Sequence, residues 1–376
     1  MYAIADIVNA LRQKWPAWQT LKDIELARAD DQIDYAVGNF SVVTRVRHEG
    51  VDKILKCYTR HRPHLKEIYG AHFLPKELVI TDLMGATHLI DCLLTDYIAG
   101  KTLDEHLHNK DCNIGALADA FERLAQRLLA ENLAHGDIKP DNIIVGEDGE
   151  LHLIDWDACF VERLAGMESA ELGSSAYQHP ARSTKHYNRH IDDYSIAYLL
   201  TMLRATKIDA SVIEHYRSFY AFAPSPADIV NSAGGAIAPL TERFAQLGMA
   251  KEYRLSKMLS SPTPSLYGLE AILTPTQSLD DGASELEQIN GYWGITNSQC
   301  WVVGPLYDWI LEPFGEIYIA GIDDYITINS LRHGMLHTLA KGCHITQPDN
   351  EGCRIEQPSG EESYIKYSDL LHNFAK

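Results

Sequence analysis

The sequence predicts an α+β protein. Strand-like segments fill much of residues 24 to 97, helix-spaced apolar residues take over from about residue 100, and strand-like segments return after a turn-rich stretch at 260–288. At 376 residues the chain is about twice a typical domain, so two or three structural units are expected. The expected division is 1–97 for a helix and sheet, 98–259 for a helical part, 260–288 for a linker, and 289–376 for a β-rich end.

In chain order, Ile4, Ile7, Val8 and Leu11 share one helical face, so a short packing helix precedes the first sheet. Val42, Thr44 and Val46 differ in character from their neighbours, and His48-Glu49-Gly50 supplies a turn before the run that ends at Lys56-Cys57-Tyr58. Pro63 to Phe73 predicts a helix, with Pro63 acceptable in its first turn, and strands follow at 78–80 and 89–96. Leu117, Phe121, Leu124 and Leu128 then repeat at helical spacing, and Tyr194 to Leu203 is a second strongly apolar segment. Ser260-Ser261-Pro262-Thr263-Pro264-Ser265, Pro275 and Asp280-Asp281-Gly282 mark the linker.

Bulk properties narrow the function. With 45% hydrophobic and 23% charged residues the chain has the composition of a globular protein rather than a disordered one. A formal net charge of -19 would repel a phosphate backbone, so nucleic acid is not an expected partner. No stretch approaches a membrane span, and Asp6 interrupts the only apolar run near the start, so neither membrane binding nor a leader is expected. Seven cysteines, scattered without a CxxC pair, fit reduced thiols and a cytoplasmic location.

The strongest chemical signal is His135-Gly136-Asp137-Ile138-Lys139-Pro140-Asp141-Asn142. Thirteen positions after Asn142, the apolar strand Leu151-His152-Leu153-Ile154 ends in Asp155, followed by Trp156-Asp157. Together these resemble the catalytic loop and the metal-binding Asp-Phe-Gly of the eukaryotic-type protein kinases. The resemblance implies a bilobal protein-kinase-like fold, with an antiparallel-sheet N-lobe, a helical C-lobe, and a small β-rich module after them. It implies ATP and magnesium as the cofactors. Asp137 would accept or orient the acceptor hydroxyl's proton, Lys139 would offset charge on the moving phosphoryl group, and Asn142 with Asp155 would hold the metal.

The resemblance extends upstream and downstream. Ala36-Val37-Gly38-Asn39-Phe40-Ser41 stands where the family has its phosphate-covering turn, keeping only Gly38 of the glycines, with Phe40 at the tip. Lys56 matches the strand lysine that binds the α- and β-phosphates. Glu67 is its expected ion-pair partner, with Glu77 in reserve. Leu93-Leu94-Thr95-Asp96-Tyr97-Ile98 resembles the hinge whose backbone, at Asp96 and Ile98, would bond adenine. Gly173-Ser174-Ser175-Ala176-Tyr177-Gln178-His179-Pro180 resembles the end of an activation segment, where the Ser174 hydroxyl would reach Asp137 and Lys139. Asp192 resembles the acid that anchors the catalytic loop. His186 and His190 are four apart, but no carboxylate-histidine signature surrounds them, and they are not taken as metal ligands.

Several positions depart from the family. Gly136 replaces an arginine that would bind a phosphorylated activation segment, so activity is not expected to need that switch. Asp157 replaces the glycine of Asp-Phe-Gly and is a second candidate for the metal. Ala181 replaces the glutamate after Pro180, so the ion pair that pins the segment is expected to be missing.

Near the end, Gly291-Tyr292-Trp293-Gly294-Ile295 and Val302-Val303-Gly304-Pro305-Leu306-Tyr307-Asp308-Trp309 resemble one unit of the bacterial WG repeat. One repeat is too little to bury a core alone, so it would pack on the rest of the chain or bind a protein partner, the alternative being a generic β extension. The function these features imply is a serine/threonine protein kinase acting on a protein substrate. The alternatives are a small-molecule kinase of the aminoglycoside or choline type, with a small alcohol as acceptor, and a nucleotide-binding scaffold without catalysis.

Overall fold

The computed structural model describes residues 1–13, 17–21, 24–29, 32–38, 40–131, 133–266 and 268–273, and beyond them the backbone of short strands within 286–366. It is a mixed α+β structure in which an antiparallel sheet comes first and helices follow. By density of contacts the chain divides into two compact units, residues 1–195 with 213–221, and residues 196–212 with 222–376.

The first unit opens with α1 (Ile4–Arg12), whose Ile7, Val8 and Leu11 are buried as their spacing predicts, whereas Ile4 in the first turn is 38% exposed. Strands β1 (Ile24–Leu26), β2 (Arg28–Ala29), β3 (Gln32–Ile33), β4 (Tyr35–Val37), β5 (Ser41–His48) and β6 (Val51–Tyr58) follow. The residues of α1 join Val42, Val46, Leu55, Cys57, Leu78, Ile80, Ile90 and Cys92 in one apolar cluster against the sheet. Each such large side chain stabilises the fold by about 1.5–3 kcal/mol through burial. Because the pleat alternates, Lys56 between Leu55 and Cys57 is turned to the other face of β6.

The helix expected over Pro63 to Phe73 is much shorter, since α2 spans only Leu65–Tyr69. Gly70 takes φ +57, a 3₁₀ turn covers Gly70–His72, and Phe73 already begins β7 (Phe73–Thr81). With β8 (Thr87–Asp96), these are strands of nine and ten residues rather than the short ones expected. Their turn is set by Asp82, whose carboxylate accepts the amides of Met84 and Ala86. The order across the sheet is β1-β5-β6-β8-β7, with β4 also paired to β5.

After the sheet come β9 (Lys101–Thr102), α3 (Leu103–His108) behind a Thr102/Glu105 capping box, and α4 (Ile114–Ala130) capped by Asn113. Then β10 (Leu133–Ala134), β11 (Ile143–Val145), β12 (Leu151–Leu153) and β13 (Phe160–Val161) build two small antiparallel sheets, β12-β11-β9 and β10-β13. These sheets bracket the loop 135–142 and the turn 154–159.

Two helices, α5 (Asp193–Ala205) and α6 (Ala210–Phe219), begin in one unit and end in the other. The second unit continues with α7 (Pro226–Asn231), started by a Ser225/Asp228 capping box, α8 (Ala238–Gln246), α9 (Ala250–Met258) and α10 (Leu269–Leu273). Helix α10 lies inside the stretch expected as a linker. Leu266, Leu269, Ile272 and Leu273 are buried there, a helical spacing that the surrounding proline and serine residues hid.

Beyond α10 the described backbone consists of short strands. They are β14 (Leu286–Ile289), β15 (Tyr292–Gly294), β16 (Trp309–Leu311), β17 (Glu316–Ile319), β18 (Asp324–Thr327), β19 (His344–Thr346), β20 (Gly352–Glu356) and β21 (Glu362–Lys366), all paired antiparallel. The rest of the repeat-like stretch around residues 291–309 lies outside the described residues. No helix among the described residues is long and apolar enough to cross a membrane.

Candidate functional site

The loop 135–142 is fixed from below by a buried carboxylate. Asp192 is 3% exposed and accepts the backbone N–H groups of both His135 and Gly136, the latter at 2.8 Å. Burial pushes its pKa up, while His135, Arg182 and the two amides oppose that rise. The His135 ring reaches across to the Ile154 carbonyl at 2.8 Å and meets the Trp156 ring edge-on at 4.7 Å. Gly136 has φ +84, and a Cβ there would lie 2.2 Å from the Ala158 carbonyl oxygen, so the turn accepts no side chain.

On this support Asp137, Lys139 and Asn142 form one hydrogen-bonded group. The Asn142 amide nitrogen donates to the Asp137 backbone carbonyl at 2.9 Å and to its Oδ2 at 3.0 Å. Lys139 Nζ stands 3.2 Å from the same Oδ2. Ser174 meets the other oxygen, Oδ1, at 2.6 Å, through its backbone N–H rather than through the hydroxyl expected from the sequence. Gly173 makes that approach feasible, because at φ +70 a Cβ would fall 2.6 Å from the Gly136 carbonyl oxygen and 2.9 Å from Asp137 Oδ1. The Ile154 amide donates to the Asn142 carbonyl at 2.9 Å and ties this loop to the turn after β12 that carries Asp155.

The second group gathers on Lys56. Its ammonium lies 2.6 Å from Asp155 Oδ1 and 2.8 Å from Asp157 Oδ2. Burial alone would lower the lysine pKa, but the two carboxylates outweigh it and hold it above the ordinary value. Asp157 is 5% exposed, and its Oδ1 also accepts the hydroxyls of Tyr58 at 2.9 Å and Tyr69 at 2.8 Å. Burial and the neighbouring carboxylate push both phenols far above the usual tyrosine range, so they remain donors. Asp155 differs in every respect: its side chain is 46% exposed, and its backbone sits at φ +65, a left-handed conformation that costs energy in a non-glycine residue.

The expected partners of Lys56 are elsewhere. Glu67 is exposed on α2. Glu77 is buried on β7, where it caps the chain at Thr20 and Leu21 through bonds of 2.6 to 2.8 Å. Asp96 faces solvent, with Lys53 at 2.5 Å, and Ile98 is half-buried in the connection to β9. Gly38 donates to the Ser41 carbonyl across the β4–β5 turn. Phe40 at that turn packs under the guanidinium groups of Arg60 and Arg62, 3.6 and 5.3 Å from its ring centre.

Two links were not anticipated. Arg62, 4% exposed, forms an ion pair with Glu171. Arg182, 8% exposed, donates to the Gly136 carbonyl at 2.9 Å and to the Gln178 side chain, and burial lowers its pKa. A guanidinium from position 182 thus reaches the backbone at position 136. It pins residues 178–182 to the loop even though Ala181 carries no charge. Its only sequence signal was a basic residue two after Pro180. His186 and His190 bond to Ser183 and Asp193.

Asn142 and Asp155 carry oxygens of the kind a hard divalent cation takes. With its nitrogen on Asp137, Asn142 leaves its carboxamide oxygen toward other partners, and Asp155 keeps Oδ2 beyond its bond to Lys56. Among the described residues no trio of His, Cys, Asp or Glu is placed to hold a metal by itself, so a cation here would need further oxygens from a ligand such as a phosphate. In comparisons with known proteins, the chain matches no family model and no curated protein.

Proposed function

We propose that this chain transfers the γ-phosphoryl group of ATP to a hydroxyl, with a protein serine or threonine as the favoured acceptor. The observation that carries the reading is the pairing of two groups joined by one backbone hydrogen bond. One is an acid–lysine–carboxamide loop (Asp137, Lys139, Asn142), and the other is a strand lysine beside an exposed carboxylate (Lys56, Asp155). The strand order β1-β5-β6-β8-β7 before a helical region supports a kinase-like bilobal arrangement.

Magnesium, held by Asn142 and Asp155, would neutralise charge on the phosphates. Lys56 would bind the phosphate oxygens, Asp137 would orient the acceptor hydroxyl and take its proton, and Lys139 would offset the charge that shifts during transfer. Cys57, Cys92, Cys112 and Cys159 are free thiols, which supports the cytoplasm as the setting.

One observation favours a second reading, a nucleotide-binding scaffold. Both oxygens of Asp137 are already engaged, one by the Ser174 amide and the other by Asn142 and Lys139, so an acceptor hydroxyl would compete with these donors for the carboxylate. Incubation with γ-labelled ATP and magnesium, alone, with a generic protein and with small alcohols, separates these readings beside an Asp137→Ala control. Label on protein that is lost in the control supports the kinase, and label on alcohols alone supports a small-molecule acceptor. Nucleotide-dependent thermal stabilisation without transfer supports the scaffold.

A further inference from the structure

We infer that Asp157 is a positioning residue: it holds the Lys56 ammonium in place of a helix glutamate, and the Tyr69 hydroxyl couples helix α2 to it. The consequence for nucleotide binding rests on the phosphoryl-transfer reading above, but the geometry does not. Strand pleating puts Lys56 and Tyr58 on the same face of β6, so the ammonium and the phenol converge on one carboxylate. That carboxylate is anchored on both sides, with two tyrosine hydroxyls on Oδ1 and Lys56 on Oδ2, at 2.8 to 2.9 Å. A buried acid satisfied by three donors has little freedom to turn, and at 5% exposure it offers a cation little access. Asp157, the second metal candidate of the sequence, is thereby assigned to the lysine, and the more exposed Asp155, which meets Lys56 through Oδ1, keeps Oδ2 for the metal.

Lysine has three N–H donors. Two of them point at Asp155 and Asp157, which leaves one for a phosphate oxygen while Asp157 keeps the ammonium in place. Helix α2 reaches the same point through Tyr69 and not through Glu67, which is exposed. Movement of α2 would therefore reach Lys56 through a phenol–carboxylate bond, and Glu67 has no part in it.

The test compares Asp157→Asn, Asp157→Glu, Tyr69→Phe and Glu67→Ala with the wild-type full chain, using two readouts. The first is the dependence of transfer on ATP and on magnesium. Weakening a charge-assisted bond to the lysine should raise KM for ATP about tenfold in Asp157→Asn. The magnesium concentration at half-saturation and kcat should change by less than about twofold. Asp157→Glu should recover part of the loss, Tyr69→Phe should give a smaller rise of the same kind, and Glu67→Ala should give none.

The second readout is covalent labelling of lysine amines, mapped by mass spectrometry, and it needs no activity. Lys56 should be protected in the wild type and in Glu67→Ala, and labelled several-fold faster in Asp157→Asn and Tyr69→Phe. Tyr69→Phe keeps every charge, so it reports even if Asp157→Asn fails to fold. A wild type that binds no nucleotide would defeat the kinase reading while the labelling pattern still judged this one. Protection lost in Glu67→Ala, protection retained in Asp157→Asn and Tyr69→Phe, or a magnesium requirement raised by Asp157→Asn would overturn the inference.

Discussion

Gly136→Ala should loosen the loop 135–142 far more than an alanine at another left-handed glycine does. Two costs add at position 136. The backbone has φ +84, where a Cβ is disfavoured by about 1–2 kcal/mol. The new methyl would also lie 2.2 Å from the Ala158 carbonyl oxygen and 2.8 Å from its carbon. Such a carbon–oxygen contact ordinarily stands at about 3.3 Å, so backbone must move by about 1 Å. Forced overpacking of this kind costs about 1–3 kcal/mol, giving about 2–5 kcal/mol in total. Gly149→Ala is the control, since Gly149 has φ +80 but open space around it and should lose only the first part.

Hydrogen exchange of residues 133–145 reads the difference locally, which matters in a chain of two units where one global unfolding energy is ill-defined. The amides of residues 135 and 136, protected by Asp192, should exchange about thirtyfold faster or more in Gly136→Ala. Gly136→Arg, which adds a longer side chain at the same crowded position, should be worse still. Equal exchange in Gly136→Ala and Gly149→Ala, within about threefold, would refute the steric reasoning.

Other outcomes follow from the same contacts. Asp192→Ala leaves two buried amides without an acceptor and should destabilise the first unit by about 2–4 kcal/mol in denaturant titrations of its loop signals. Ser174→Ala should leave the segment in place because the bond to Asp137 comes from the backbone, whereas Ser174→Pro removes the donor; proteolysis between residues 165 and 180 should rise only in the proline variant. Lys56 has its pKa raised above 10.5 in the folded protein, so the stabilisation from its ion pairs is complete below that value and is lost only as pH rises through the higher folded value. The stability difference between Lys56→Met and wild type should accordingly stay flat from about pH 7 to 10, and a steep change within that window would contradict the ion-pair assignment.

How far the sequence could be read depended on the range of the interaction involved. The α+β order, α1, β5, β6 and α4 were legible because periodicity is local and most of their apolar residues are buried where the spacing put them, Ile4 at the exposed start of α1 being an exception. The loop 135–142 was legible because its pattern is contiguous. The partner of Lys56 was not, since Asp157 lies 101 positions away and Tyr69 sits on a helix whose length is set by Gly70. Arg182 was missed for the same reason, because no local rule ties a basic residue after Pro180 to a carbonyl 46 positions earlier. Ser174 was assigned a side-chain role because a sequence displays hydroxyls and conceals amides.

Paramagnetic manganese in place of magnesium, added with ATP to protein carrying isotope-labelled asparagine, reads the site itself. The side-chain amide signal of Asn142, assigned by its loss in Asn142→Ala, should broaden when ATP and manganese are both present, and Asp155→Asn should abolish the effect. An Asn142 signal that stays sharp while nucleotide binds, or one that broadens equally in Asp155→Asn, would contradict a metal–nucleotide site built on these two residues.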